Sequence, residues 1–231
     1  MKLKNLEKKN MSKKIVLIDG DYIPYKLCYN KKDESEKSID DIYSLITFYM
    51  NNLLKAVDCN EYIGFLSPKK TFRNDVNPDY KAQRKTSEIK YLSEAKIYLQ
   101  DKYKFNLYLG LESDDCCLIT EKLLLKEGYG VIVISPDKDI KNTFGKRYCP
   151  NKQELTECNK EQENYYFWCS MITGDTVDNI KGIPGKGEKF VEKRFEGALT
   201  FQSIVLMEYI IYFGEYKGVQ EFYKNYMSLY I

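Results

Sequence analysis

Apolar residues gather into short runs along an otherwise polar chain, and their spacing alternates between two periods. Ile15-Val-Leu-Ile18 and Val131-Ile-Val-Ile134 are unbroken and β-branched, the pattern of central parallel strands buried on both faces. Tyr62–Leu66 and Phe105–Leu109 predict two further strands. Ile42, Leu45, Ile46, Tyr49, Leu53 and Leu54 recur at helical spacing and make Ile39–Val57 a long amphipathic helix. Leu118, Ile119, Leu123 and Leu124 do the same for Ser113–Lys126, with Gly128 as its stop. Further helices are predicted at Tyr22–Tyr29, Gln162–Thr173, Leu199–Phe213 and Gly218–Ile231. Arg147–Tyr148 is expected as a short edge strand, Lys31–Lys37 and Asn151–Asn159 as polar loops. The alternation predicts an α/β fold with a central, mostly parallel sheet flanked by helices.

Acidic residues stand where the predicted strands end. Asp19 closes the first, Glu112, Asp114 and Asp115 follow the third, and Asp137 and Asp139 follow the fourth. Asp137 and Asp139, two apart on an extended segment, would project to one side. Glu112 and Asp115 have the spacing to share a helix face. Acids at one helix start are ordinarily dipole partners; their recurrence at three strand ends places a site at the C-terminal edge of the sheet, where open α/β folds carry theirs.

The stretch Gly174–Lys189 adds a second kind of chemistry. If the helix before it runs on to Asn179, Asp175 and Asp178 share a face and can hold a divalent cation between them. Gly182, Gly185 and Gly187 then bring bare backbone N–H groups to an anion, with Lys186 and Lys189 alongside and a new helix starting near Glu188. Carboxylates for a metal beside a phosphate grip point to phosphodiester chemistry; the plainer alternative is a surface turn between helices.

The charges are 36 Lys and Arg against 34 Asp and Glu, a net +2, so segregation matters more than the sum. From Lys69 to Lys104 ten basic residues face five acids, with Phe72, Tyr80 and Tyr91 interleaved as faces for base stacking; a solvated basic helix is the competing reading. With no histidine in 231 residues, imidazole-based triads are excluded. Seven cysteines without a Cys-x-x-Cys pair exclude the usual zinc spacings and argue for a reducing compartment. No apolar run approaches the roughly 20 residues that span a bilayer, so a soluble protein without membrane contact is expected. Residues 1–13 read as a disordered basic leader, and Met1 or Met11 would serve as the start.

The series Ile18-Asp19-Gly20, Thr71-Phe72-Arg73 followed by Tyr80-Lys81 and Arg84, Glu112-Ser-Asp114-Asp115, Ser135-Pro-Asp137-Lys-Asp139 and Gly174-Asp175-Thr-Val-Asp178 through Gly187 resembles the 5′-nuclease superfamily. The likeness is to phage-type 5′-3′ exonucleases and flap endonucleases and to the exonuclease domain of bacterial DNA polymerase I. It implies a PIN-like nuclease core over residues 14–160 with a helical arch at about 69–104. Residues 161–231 would supply a helix-hairpin-helix element and C-terminal helices that grip duplex DNA, often with a bound potassium ion. By the same resemblance Asp19, Glu112, Asp114 and Asp115 would serve a first Mg²⁺ or Mn²⁺, and Asp137, Asp139, Asp175 and Asp178 a second. Lys81 and Arg84 would contact the scissile phosphate. Arg73, Tyr80, Gly182, Gly185, Lys186, Gly187 and Lys189 would contact DNA. Many relatives read Phe-Asp where this chain has Phe65-Leu66, so Leu66 is expected to face the first metal position with one carboxylate fewer.

Eight carboxylates in one crevice repel one another unless cations are present, so the resemblance and the residues agree on metal-assisted hydrolysis. The implied protein is a monomer acting on a 5′ end, flap or nick during replication or repair, in a bacterial host cytoplasm if phage-encoded. A PIN-type ribonuclease shares acids on such a sheet, but the glycine-rich stretch after Asp178 argues against it. A branched-DNA-binding protein with little turnover is the alternative from another class.

Overall fold

The computed structural model describes residues 13–29, 37–84 and 89–230. All but the last residue of the expected leader, both candidate start methionines and most of the loop at 31–37 lie outside the described residues. In chain order the first half contains β1 (Lys14–Asp19), α1 (Tyr22–Cys28), α2 (Ile39–Ala56), β2 (Tyr62–Leu66), α3 (Phe72–Val76), α4 (Leu92–Tyr103), β3 (Asn106–Leu107), α5 (Ser113–Lys126) and β4 (Gly130–Ile134). The second half contains α6 (Lys138–Lys141), β5 (Gly145–Cys149), β6 (Glu154–Cys158), α7 (Lys160–Thr173), β7 (Gly174–Asp175), β8 (Ile180–Lys181), α8 (Glu188–Phe195), α9 (Gln202–Phe213) and α10 (Glu215–Leu229).

Six strands form one sheet in the order β3-β2-β1-β4-β5-β6. β1 lies between β2 and β4, parallel to both, with Asp19 opposite Phe65 and Ile18 opposite Ile134. β5 continues the parallel set, and β6 closes it antiparallel. β1 sends Val16 and Ile18 into the layer under α1, α2 and α4, and Leu17 into the layer under α5, the two-residue alternation of a strand. A third apolar cluster, built on Trp168, Met171, Val191, Val205, Tyr209 and Phe222, holds α7 to α10 together.

Local chemistry sets the element ends. Ser38 Oγ accepts from Asp41 N while Asp41 accepts from Ser38 N, a reciprocal cap on α2. Asn159 and Gln162 form the same pair on α7. Three expectations are corrected. Residues 151–159 are no simple polar loop: β6 pairs with β5 there, and because it is an edge strand that buries only Cys158, it shows no apolar run. β5 is consequently interior. The segment predicted as an arch is largely core at its C-terminal end, where Ala95 and Leu99 of α4 are fully buried and Tyr98 stacks on Tyr43 at 4.1 Å. That leaves the stretch between α3 and α4, whose residues 85–88 lie outside the described set.

Candidate active site

β1, β4 and the start of α5 bring their acids to one cleft at the C-terminal edge of the sheet, lined by Asp19, Asp21, Glu112, Asp114 and Asp137 with Lys81 and Arg84. Asp19 accepts hydrogen bonds from the hydroxyls of Ser113 and Ser135. Burial, then the nearby Asp21 charge, pushes its carboxyl up to about 6. Asp21, absent from the predicted set, accepts from Ser67 N at 3.1 Å and pairs with Lys96 Nζ at 2.8 Å. Its signal was present in the Asp19-Gly-Asp21 spacing; the serine hydroxyls left none.

At the head of α5, Glu112 is buried. Lys81 Nζ donates to both its oxygens at 2.8 and 2.9 Å, and the Tyr80 hydroxyl donates at 2.8 Å. Asp114 turns toward the cleft, and burial, then the charges of Glu112 and Asp115, raises its carboxyl well above the usual range. Asp115 does not join them. It is buried in a two-pronged pair with Arg73, at 2.6 and 2.8 Å. Arg73, 1% exposed, is therefore no surface contact for DNA, and Tyr80, 4% exposed, offers no open stacking face. Leu66 is also corrected: it is fully buried in the layer with Ile18 and Phe105, away from the cleft.

The remaining acids are arranged differently from their predicted local structure. Asp137 is the cap of α6, accepting from Asp139 N at 2.8 Å, so the two sit on a helix start rather than an extended segment. Burial, then the charges of Asp137 and Asp175, pushes the Asp139 carboxyl to about 7. Asp175 and Asp178 are not on a shared helix face. α7 stops at Gly174, whose φ of 75° suits glycine, and the chain turns through the β7–β8 hairpin. Asp175 Oδ1 accepts from Val177 N at 2.7 Å, tightening that turn. Asp178 meets Arg84 at 2.6 Å, the Tyr80 hydroxyl at 3.0 Å and Lys81 at 3.6 Å.

Among the described residues no three acidic or thiol side chains converge as a ready-made metal cage. Lys81 and Arg84 lie against Glu112 and Asp178, and Lys138 stands 3.7 Å from Asp175. The donor chemistry still fits a hard divalent cation, being carboxylate and hydroxyl oxygen throughout. Burial first, and neighbouring carboxylates second, raise the Asp19, Asp114 and Asp139 carboxyls, an environment in which a bound cation would favour their charged forms.

Beyond the hairpin, Gly182 is required by packing: a Cβ there would collide with the Ile172 carbonyl and the Gly174 backbone. Lys186 is held by Glu208 at 2.5 Å, and the same buried acid takes Arg194 at 2.7 Å. Gly185, Gly187 and Lys189 remain exposed at the α8 entrance. A seam ties this region to the segment carrying Lys81. Lys81 N donates to Asp178 O at 3.0 Å, Gln83 Nε2 to the Thr176 and Val177 carbonyls at 3.1 and 2.9 Å, and Asn179 Nδ2 to Asp79 O at 2.8 Å.

A family model described as the 5′-3′ exonuclease N-terminal, resolvase-like domain matches residues 14–165. A 5′-3′ exonuclease of Mycoplasmopsis pulmonis is 29% identical over 198 residues, covering 77% of this chain and 64% of that protein. DNA polymerase I of Mycobacterium leprae is 26% identical over 214 residues, covering 83% of this chain and 23% of that protein. The chain thus spans less than two thirds of either relative. In three dimensions it is similar to the phage T5 D15 protein co-crystallised with metal ions, with a TM-score of 0.72 at 20% identity over 94% of this chain and 90% of that one. A T5 D15 flap endonuclease complex with DNA and metal ions gives 0.66 at 19% identity over 94% and 90%. The shared element is the fold: a mostly parallel sheet flanked by helices.

Proposed function

The chain belongs to the 5′-3′ exonuclease family through its N-terminal resolvase-like domain, and we propose on that premise that it hydrolyses phosphodiester bonds at 5′ ends or 5′ flaps of DNA, dependent on a divalent metal. The observation that carries this reading is the meeting of Asp19, Asp114 and Asp137 with Lys81 and Arg84 in one cleft at the end of the parallel strands. Asp19, Glu112, Asp114 and Asp137 would hold one Mg²⁺ or Mn²⁺. Asp139, Asp175 and Asp178 would hold a second. Bound ions supply a water of lowered pKa and offset charge on the leaving oxygen. Lys81 and Arg84 move from their carboxylates to the phosphate, where they meet the charge that builds in the transition state. Tyr80 orients Glu112 and Asp178 through its hydroxyl. Gly185, Gly187 and Lys189 bring backbone N–H groups and a cation to the duplex, and a K⁺ ion at the hairpin would fit that role.

The protein would work as a monomer in a bacterial cytoplasm, in replication or repair; no helix among the described residues is long and apolar enough to cross a membrane. The complex of the T5 D15 flap endonuclease with DNA and metal ions supports the substrate class. A 5′-labelled flapped or nicked duplex should be cleaved in Mg²⁺ and remain intact in chelator. Equal cleavage in chelator, or binding of flaps in Ca²⁺ with no cleavage on exchange to Mg²⁺, would remove this reading.

A further inference from the structure

Of the four-residue block at the head of α5, Glu112, Ser113 and Asp114 line the cleft and Asp115 does not. Asp115 is 4% exposed, and its oxygens are taken. Oδ1 accepts from Arg73 Nη2 at 2.8 Å; Oδ2 accepts from Arg73 Nη1 at 2.6 Å and from Glu112 N at 3.0 Å. Three donors on one buried carboxylate leave little of its capacity for a cation. Arg73 is equally committed. Its Nε donates to Ser228 O at 2.9 Å and its Nη2 also donates to Tyr230 O at 3.0 Å, both at the end of α10. Its guanidinium lies over the Phe72 ring at 4.7 Å.

We propose that Arg73 and Asp115 form a positioning pair, in which Asp115 is not a metal ligand and Arg73 is not a DNA contact. The inference deepens the nuclease reading and rests on it. Arg73 links three elements distant in sequence: α3, the first turn of α5 and the end of α10. Asp115 passes that restraint to the Glu112 backbone, and so to the carboxylate that Lys81 and Tyr80 meet. Only a planar fork can serve one carboxylate and two carbonyls at once, so lysine cannot replace this arginine.

The test compares Arg73→Lys, Asp115→Asn and Asp114→Asn by thermal unfolding without metal, Mn²⁺ binding without DNA, and steady-state kinetics across a salt series. Arg73→Lys and Asp115→Asn should each lower Tm by about 10 °C, as for a broken buried pair in a chain of this size. Their effects on Tm should be non-additive in the double variant. Mn²⁺ affinity should change less than about threefold in both, and kcat should fall while the salt slope of KM stays that of the unaltered protein. Asp114→Asn should instead weaken Mn²⁺ more than about tenfold with little change in metal-free Tm.

A tenfold loss of Mn²⁺ affinity in Asp115→Asn at unchanged Tm would make it a ligand. A salt slope reduced by about one in Arg73→Lys would make that residue a phosphate contact. Either result overturns the proposal, as does a wild-type Tm in Arg73→Lys. If Asp115→Asn does not fold, Arg73→Lys carries the same discrimination without touching any acid. Failure of the nuclease reading would show separately, as absent cleavage or Mn²⁺ binding in the unaltered protein with the Tm coupling intact.

Discussion

Lys81 Nζ lies 2.8 Å from Oε1 and 2.9 Å from Oε2 of Glu112, so one ammonium spans the whole carboxylate at the head of the cleft. The pair is partly buried, which makes the cation strongly felt by any charge developing beside it. Replacing Lys81 with alanine should lower kcat about 100-fold or more while KM changes less than about threefold. Single-turnover rates would check this; a loss confined to KM would assign Lys81 to ground-state binding.

Asp175→Asn with Asp178→Asn should abolish cleavage and leave duplex binding in Ca²⁺ within a few-fold of normal. The amide oxygen at position 175 can still accept from Val177 N and Asp178 N, so the turn survives. Gel-shift and cleavage assays on the same preparation would decide it. Turnover at the normal rate would remove both residues from the site.

The acids also set a pH dependence. Burial holds the Asp19 carboxyl up at about 6 and the Asp139 carboxyl up at about 7, against 3.8 for an ordinary aspartate. Folded values above the unfolded one mean that the folded chain binds more protons between them, so stability falls as pH rises from about 4 to about 7. In chelator, Tm should be higher near pH 5 than near pH 8, and Mg²⁺ at the higher pH should recover much of the difference. A Tm in chelator that rises over this interval would contradict the burial ascribed to these groups.

Leu66 belongs to the core. Leu66→Asp should therefore lower Tm by about 10 °C or more, without reducing the metal concentration needed for half-maximal cleavage by the surviving folded fraction. A stable variant with tighter metal dependence would return position 66 to the cleft.

Just past the β7–β8 hairpin, Gly182→Ala should destabilise the protein and weaken duplex binding together, because the added methyl meets the Ile172 carbonyl. Gly187→Ala, which meets nothing within 4 Å, should leave the fold intact. Comparing Tm and duplex affinity for the two variants separates packing from contact.

The parallel strands were legible because burial on both faces leaves an unbroken apolar run, as in 15–18 and 131–134. The acids at their ends followed from the same boundaries. β6 was not, because its pairing with β5 is made by backbone groups and its outward side chains are polar. Local spacing suggested that Asp175 and Asp178 shared a helix; Gly174, with φ of 75°, ends it first. Arg73 and Asp115 carried the right residue types for a site, but their commitment to each other spans 42 positions, a relation that spacing does not encode. Glu208 was hidden similarly among the apolar residues of α9, though it holds Lys186 and Arg194.

The seam between residues 79–84 and 176–179 has a metric consequence. One of its links is main chain to main chain, Lys81 N to Asp178 O at 3.0 Å, with side-chain amides of Gln83 and Asn179 closing it on either side. The backbone that carries Lys81 is thereby tied to the chain that leads into the α8 entrance. On the proposed reading, a duplex seated at Gly185 and Gly187 is set against the segment that carries Lys81 before it is cut, and the incision should keep a constant distance from the junction whatever the sequence of the bases.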